Sequence, residues 1–166
     1  MDQKELEAAV TKLQDIEKIK RLHARYGYLI DSGQMEEVGE LFTDDAIADW
    51  GGLRGRYEGK EEIRGFFVDR TPKSAAMLRH QFMQPDIEID GDRARAKWYM
   101  FGFGTYKLKQ GDTPAWTHGK YDNDMVKTNG IWKISYLRFE FTFQTPFHDG
   151  WVKTPAITPD QFRELG

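Results

Sequence analysis

The chain has no cysteine among its 166 residues, which excludes disulfide staples, thiolate metal sites and thiol nucleophiles. A surplus of positive charge is missing too, since the formal net charge is −3. Such a surface has little with which to neutralise phosphates or anionic lipid, so neither nucleic acid nor a membrane is an expected partner. No apolar run approaches the roughly 18 residues that a membrane-spanning helix needs. The segment Met1 to Glu7 lacks the basic and apolar regions of a signal peptide, so the cytoplasm is the default expectation. The four histidines show no His-x-His, Glu-x-x-His or His-x-x-x-His spacing, and no glycine-rich phosphate loop follows a strand. No metal or nucleotide cofactor is expected. A Gly-x-Ser-x-Gly turn for serine hydrolysis is likewise absent.

Aromatic residues are what the chain has in quantity: 11 Phe, 7 Tyr and 5 Trp, most of them after Trp98. Aromatics gathered late in a chain suggest a core, a pocket, or both. Asp2-Gln3-Lys4-Glu5 has the form of a capping box. Apolar residues then recur at helical spacing from Leu6 to Ile30, predicting one long amphipathic helix that ends near Ser32-Gly33. A short second helix is expected from Gln34 to Phe42, broken by Thr43-Asp44-Asp45. Strands follow at Ala46–Trp50 and Arg54–Glu58, and a third helix runs from Lys60 to Asp69 and is ended by Pro72.

From Met77 the texture changes to four long strands: Met77–Ile89, Arg93–Tyr106, Ala115–Lys127 and Ile131–Phe143. Asp90-Gly91-Asp92 and Asn129-Gly130 between them are strong hairpin signals. Helices first and a meander afterwards predict a single α+β domain over residues 1–145, with an antiparallel sheet covered by helices on one face. Residues 146–166 read as a tail that wraps the surface or a neighbouring subunit.

Strand alternation puts His80, Phe82 and Gln84 on one face and Arg79, Gln81 and Met83 on the other. His80 is either a general base in a cavity or a hydrogen-bonded core histidine, and Asp31 either orients it or simply ends the helix. Tyr26 lies on the apolar stripe of the long helix. An ideal helix separates it from Asp31 by about 140°, so both reach one site only if the helix distorts near Gly27; Tyr28 is the geometric rival. In the last strand Arg138 shares a face with Tyr136 and Glu140, while Leu137, Phe139, Phe141 and Phe143 form an apolar row opposite. Arg138 therefore clamps substrate in a pocket or pairs with Glu140 outside it. His118 and Asp122 share a face, either as surface groups or as contacts for a long substrate, with Tyr121 pointing away. His23 could enter the pocket or be solvated, and His148 could line its mouth.

The order of these elements resembles the nuclear transport factor 2-like superfamily, and within it the SnoaL-like branch, which includes scytalone dehydratases, bile acid 7α-dehydratases and lindane dehydrochlorinases. The resemblance rests on Asp15-Ile16-Glu17-Lys18-Ile19-Lys20, Tyr26 with Asp31, Arg79-His80-Gln81-Phe82, Trp132-Lys133-Ile134 and Arg138. It implies a cone-shaped α+β barrel enclosing a hydrophobic pocket, a homo-oligomer with a trimer favoured over a dimer, and a cofactor-independent lyase, foremost a dehydratase. Its substrate would be a hydrophobic cyclic or aromatic molecule. Tyr26, Asp31, His80 and Arg138 would be catalytic, with Tyr28, Trp50, Phe82, Trp98, Gly102, His118, Tyr136 and Glu140 around the substrate. The chain departs from the branch at Gly102, where related dehydratases carry an aspartate or histidine, and at Ile30 and Trp50, which replace substrate-gripping tyrosines. Carbon–carbon lysis, isomerisation and ligand binding without catalysis remain alternatives.

Overall fold

The computed structural model describes residues 2–163 and begins with helix α1 (Gln3–Asp31). The capping box forms: Glu5 N–H donates to Asp2 at 2.8 Å, and Asp2 N–H to Glu5 at 2.7 Å. Burial starts only at Asp15, so the first three turns of the apolar stripe, with Leu6, Val10 and Leu13, stand in solvent. After a turn at Gly33, whose φ of 76° suits glycine, come α2 (Met35–Val38) and a 3₁₀ turn to Leu41. Strand β1 (Phe42–Asp49) then begins four residues before its predicted start, because Thr43-Asp44-Asp45 forms an irregular stretch of strand and not a break.

A turn of helix, α3 (Gly51–Arg54), leads to β2 (Arg56–Glu58), and α4 (Lys60–Gly65) continues through a wide π turn at Phe66–Arg70 into α5 (Thr71–Ser74). Pro72 does not end this helix as expected. It occupies the start of the α5 turn, where its missing N–H costs nothing.

Strands β3 (Ala75–Asp90), β4 (Arg93–Leu108), β5 (Gly111–Thr128) and β6 (Ile131–Pro146) form the meander, and the sheet order is β2-β1-β6-β5-β4-β3. The sheet is mixed and not wholly antiparallel, since β1 lies parallel to β6. A hairpin forces antiparallel pairing, whereas β1 is linked to the meander through the long crossover of residues 50–74, which contains α3, β2 and the helical segment 60–74. Among the described residues the sheet is not closed, leaving β2 and β3 as edges. Its inner face carries Trp132, Ile134, Leu137 and Phe139 against Ile19, Tyr26, Val38 and Phe67 from the helices. In the tail, α6 (Gly150–Lys153) precedes Ile157 and Phe162, which are fully buried against Tyr106, Leu108 and Ala115 of the same chain. The last three residues of the expected tail lie outside the described ones.

Three register shifts control which side chains face inward. On β6, His118 pairs with Phe143 but Gly119 with Phe141, and Asp124 pairs with Tyr136 but Met125 with Ile134. Thr142 and Ser135 are therefore extra residues, each reversing the strand's alternation. The expected apolar row is split as a result. Leu137, Phe139 and Phe141 face inward, while Phe143 turns to the outer face and Gln144 takes the inward position. On β3, a shift between Met83 and Asp86 with Gln84 at φ 53° removes Gln84 from the face of His80.

Candidate active site

The sheet's inner face, α1 and the 60–74 helical segment surround a cavity. Aligned cross-strand pairs put His80 of β3, Gly102 of β4, Thr117 of β5 and Gln144 of β6 in one row across the floor. All four line the cavity. A Cβ on Gly102 would sit 2.6 Å from the Arg79 carbonyl oxygen, so glycine permits the close approach of β3 and leaves bare floor beside His80.

Asp31 ends α1 and reaches across to β3. Its Oδ2 accepts the His80 backbone N–H at 2.8 Å, and Oδ1 lies 2.6 Å from His80 Nδ1. An ionised carboxylate only accepts, which assigns the ring proton to Nδ1 and leaves Nε2 as the basic nitrogen. Arg79 Nη1 also donates to the Asp31 carbonyl at 2.9 Å, binding a helix end that has no basic residue in its own last turn. Gly27 does not distort the helix. Its missing Cβ admits the Phe82 ring, whose Cε2 would lie 2.5 Å from such an atom, and this lets α1 pack close on β3.

Tyr26 projects from α1 into the same cavity, 1% exposed, with its ring centroid 6.0 Å from that of Tyr121. Burial, more than any neighbour, raises the Tyr26 phenol well above its usual range, and burial raises Tyr121 as well. Both hydroxyls stay protonated across physiological pH and act as donors. Tyr28 was the rival, but it is 76% exposed, because its side chain leaves α1 on the side opposite the sheet.

Four further expectations are corrected by the strand faces. Arg138, Tyr136 and Glu140 lie on the outer face of β6, where Arg138 Nη2 pairs with Glu140 at 2.8 Å and Lys120 meets Glu140 at 2.8 Å. His118 lies on the outer face of β5, between Tyr99 and Phe143. Tyr121, one register step from Asp122, faces the cavity from that strand together with Thr117. Trp50 and Gly102 line the cavity. Phe82 and Trp98 stand behind its wall: both pack on His23, whose ring stacks 3.9 Å from Trp98. His148 is exposed. Among the described residues no group of three or more His, Asp or Glu side chains is arranged to hold a metal ion.

A second polar group at the far end of the row escaped the sequence reading. Arg54 Nη2 donates to Gln144 Oε1 and Nη1 to the Leu53 carbonyl at 2.7 Å. Gln144 Nε2 donates to Thr117 Oγ1 at 3.1 Å, and that hydroxyl lies 3.1 Å from Tyr106 Oη. Nothing in the sequence separates Arg54 from Arg56, which is exposed and paired with Glu58 at 3.0 Å. Gln144 lies past the predicted strand end and faces inward only because of the extra residue at Thr142.

Residues 11–138 match the SnoaL-like domain family. An uncharacterized protein of Mycobacterium tuberculosis is 26% identical over 132 residues, which cover 76% of this chain and 84% of that protein. Among solved structures, a hexachlorocyclohexane dehydrochlorinase from Novosphingobium barchaimii superposes with a TM-score of 0.76 at 18% identity, covering 84% of this chain and 94% of that one. A Novosphingobium aromaticivorans protein provisionally named a scytalone dehydratase superposes with a TM-score of 0.74 at 20% identity, covering 84% and 92%. At such identities the likeness establishes the fold.

Proposed function

The chain belongs to the SnoaL-like domain family, and we propose that within it this protein is a cofactor-independent lyase, foremost a dehydratase, acting on a hydrophobic cyclic or aromatic molecule. The observation that carries this reading is the His80–Asp31 pair, 2.6 Å apart, opening onto a cavity whose other wall presents the protonated Tyr26 phenol. His80 Nε2 removes a proton from carbon next to a carbonyl, and the electron pair moves onto the carbonyl oxygen as an enolate. Asp31 holds the ring in the tautomer this needs and stabilises the imidazolium that forms. Tyr26 donates to the enolate oxygen. The enolate then expels the β-hydroxyl, which takes the abstracted proton from the His80 imidazolium and leaves as water, so the base is regenerated. Arg138 has no part in this scheme because it lies on the outer face. Tyr121 joins Tyr26 as a donor in its place.

The fold neighbours include proteins named as a dehydrochlorinase and, provisionally, a dehydratase, and elimination after proton removal is common to both reactions. Carbon–carbon cleavage and isomerisation would use the same base with a different fate for the enolate. Binding without catalysis is the reading from outside enzymology.

The test is deuterium uptake in D₂O, followed by NMR on a panel of cyclic β-hydroxy ketones that runs from 3-hydroxycyclohexanone to the aromatic 3-hydroxy-1-tetralone. The expected result is exchange next to the carbonyl followed by loss of water. His80→Ala should lower the rate by about 100- to 10,000-fold, the usual share of a general base. Asp31→Asn should also lower kcat strongly, with little change in affinity, since it removes a charge and imposes the wrong tautomer without narrowing the cavity. Ketones that bind but never exchange would favour a binding protein and sink the lyase reading.

A further inference from the structure

Arg54 is a cation at the wall of an aromatic cavity, and its hydrogen-bond partners are neutral. Its two recorded acceptors are the Leu53 carbonyl and the Gln144 amide oxygen. Among the described residues no carboxylate lies within ion-pair distance of it. Its guanidinium carbon lies 4.6 Å from the centroid of Phe162 and 5.7 Å from that of Phe141, so aromatic faces replace water on two sides. Burial accordingly lowers the Arg54 pKa from its usual value, though the group remains a cation at any physiological pH. A partly buried charge without a counter-charge is costly, and removal from water strengthens its attraction for any anion that enters.

The group is also held in place. Gln144 is 2% exposed, and both ends of its amide are used, Oε1 by Arg54 and Nε2 by Thr117 Oγ1, which in turn meets Tyr106 Oη. This chain of hydrogen bonds fixes the guanidinium fork, which has five donors, in one orientation. We propose that Arg54, positioned by Gln144, is the anchor for a carboxylate on the substrate, so that the substrate is a cyclic or aromatic acid. Resting on the lyase reading above, this assigns the anionic end of the molecule to Arg54 and the acidic carbon–hydrogen bond to His80.

The geometry of the floor sets the size of that molecule. Gln144 and His80 stand in the same cross-strand row, three strands apart, a backbone separation of about 14 Å at the usual strand spacing. Side chains reaching in from both ends shorten this to the length of one or two fused rings. Gly102 and Thr117 between them present a low surface to a flat ligand, and Phe139 and Phe141 supply apolar contact. A carboxylate at Arg54 takes charge-assisted bonds from a planar fork. It also keeps a second anion away from the Asp31 carboxylate at the other end.

The test uses 2-naphthoate and its neutral isostere 2-naphthamide, with binding read from tryptophan fluorescence, since Trp50 lines the cavity. Wild type should bind naphthoate at least about tenfold more tightly, the lower end of what a hydrogen bond to a charged group contributes. Arg54→Met should abolish that preference, and His80→Ala should retain it. If Arg54→Met fails to fold, as judged by circular dichroism, Arg54→Lys takes its place and should reduce the preference without removing it, because the charge stays and the fork is lost. Equal affinity for the two probes, no binding of naphthoate at millimolar concentration, or an undiminished preference in the Arg54 variant would overturn the proposal. Naphthoate preference together with failed deuterium exchange would sink the lyase reading and leave the carboxylate anchor standing.

Discussion

The imidazoles of His23 and His80 are both turned toward the interior, yet only His80 has a carboxylate beside it. His23 is 1% exposed, stacked on Trp98 and edge-on to Tyr121, and its Nδ1 sits 3.5 Å from Asn123 Nδ2. Burial is the main cause that lowers its pKa from 6.5 to about 3, with a smaller contribution from the charge on His80. The sign of the consequence follows from linkage. Between pH 6.5 and 3 the unfolded chain binds a proton at this residue and the folded chain does not, so stability falls as pH falls through that window. One proton corresponds to roughly 1.4 kcal/mol per pH unit. Asp15, held at about 2 mainly by Lys127, adds its own loss only below 3.8, so above that pH the decline from His23 is free of it. Urea unfolding of wild type and His23→Phe at pH 7.5, 6 and 5 should show a decline in wild type that is shallower by about one proton in the variant. Parallel curves would mean that another group carries the dependence. Helical spacing places His23 on the inward stripe. It does not disclose that Phe82, Trp98 and Tyr121 from three different strands close over it.

Among the elements, β3 and β4 form the part of the floor where a change of one atom is felt most directly. Gly102→Ala introduces a Cβ 2.6 Å from the Arg79 carbonyl oxygen and 3.1 Å from Met100 Sδ. The thioether can move. The carbonyl cannot without shifting β3, which carries His80 and thereby its bond to Asp31. A destabilisation of about 1–3 kcal/mol is expected, the usual cost of overpacking, measured as a lowered urea midpoint at unchanged m-value; an unchanged midpoint would show that the two strands separate freely. The same two strands illustrate what the sequence could disclose. Period-two alternation, together with Asp90-Gly91 and Asn129-Gly130, discloses the hairpins, but the shift between Met83 and Asp86 lies between the Asp90-Gly91 turn and His80, so the pairing of His80 with Gly102 does not follow from the turn. Beyond a shift the rule inverts. Thr142 and Ser135 carry no turn signal, so plain alternation keeps Phe143 in the row of Leu137, Phe139 and Phe141 and gives no sign of Gln144. Arg138 was a question of face alone. The exposed side of β6 offers Glu140 as its partner, and the inward side is already filled by Leu137 and Phe139. Arg54 depended on a single turn, α3, too short to leave a periodic signature.

On the scale of the whole molecule the helices before the meander cover only the inner face of the sheet, and among the described residues the outer face bears aromatic side chains that stay partly exposed even where α6 packs beside them. Tyr99 is 47% exposed, Phe103 37%, Phe147 51% and Trp151 58%. With Trp116, His118 and Phe143 they form two neighbouring sets of ring contacts across β4, β5, β6 and α6: Tyr99, His118, Phe143 and Trp151 in one, with Phe143 on Trp151 at 4.9 Å, and Phe101, Phe103 and Phe147 around Trp116 in the other, with Phe101 on Trp116 at 5.4 Å. A contiguous aromatic face of this kind on a chain without a basic surplus fits a second copy of itself better than nucleic acid or lipid. Closed cyclic symmetry then buries the same patch on every subunit. The exposed start of α1, with Leu6, Val10 and Leu13, offers a second apolar strip to such an assembly. Sedimentation at micromolar concentration should therefore find an oligomer, with three copies expected ahead of two. Tyr99→Glu combined with Trp151→Glu should shift it toward monomer, because a charge buried at the centre of an apolar interface has no partner there. Both positions lie outside the cavity, so loss of assembly should leave the naphthoate preference of the folded monomer in place. A wild-type monomer at these concentrations, or an oligomer indifferent to both substitutions, would show that the aromatic face is not where copies meet.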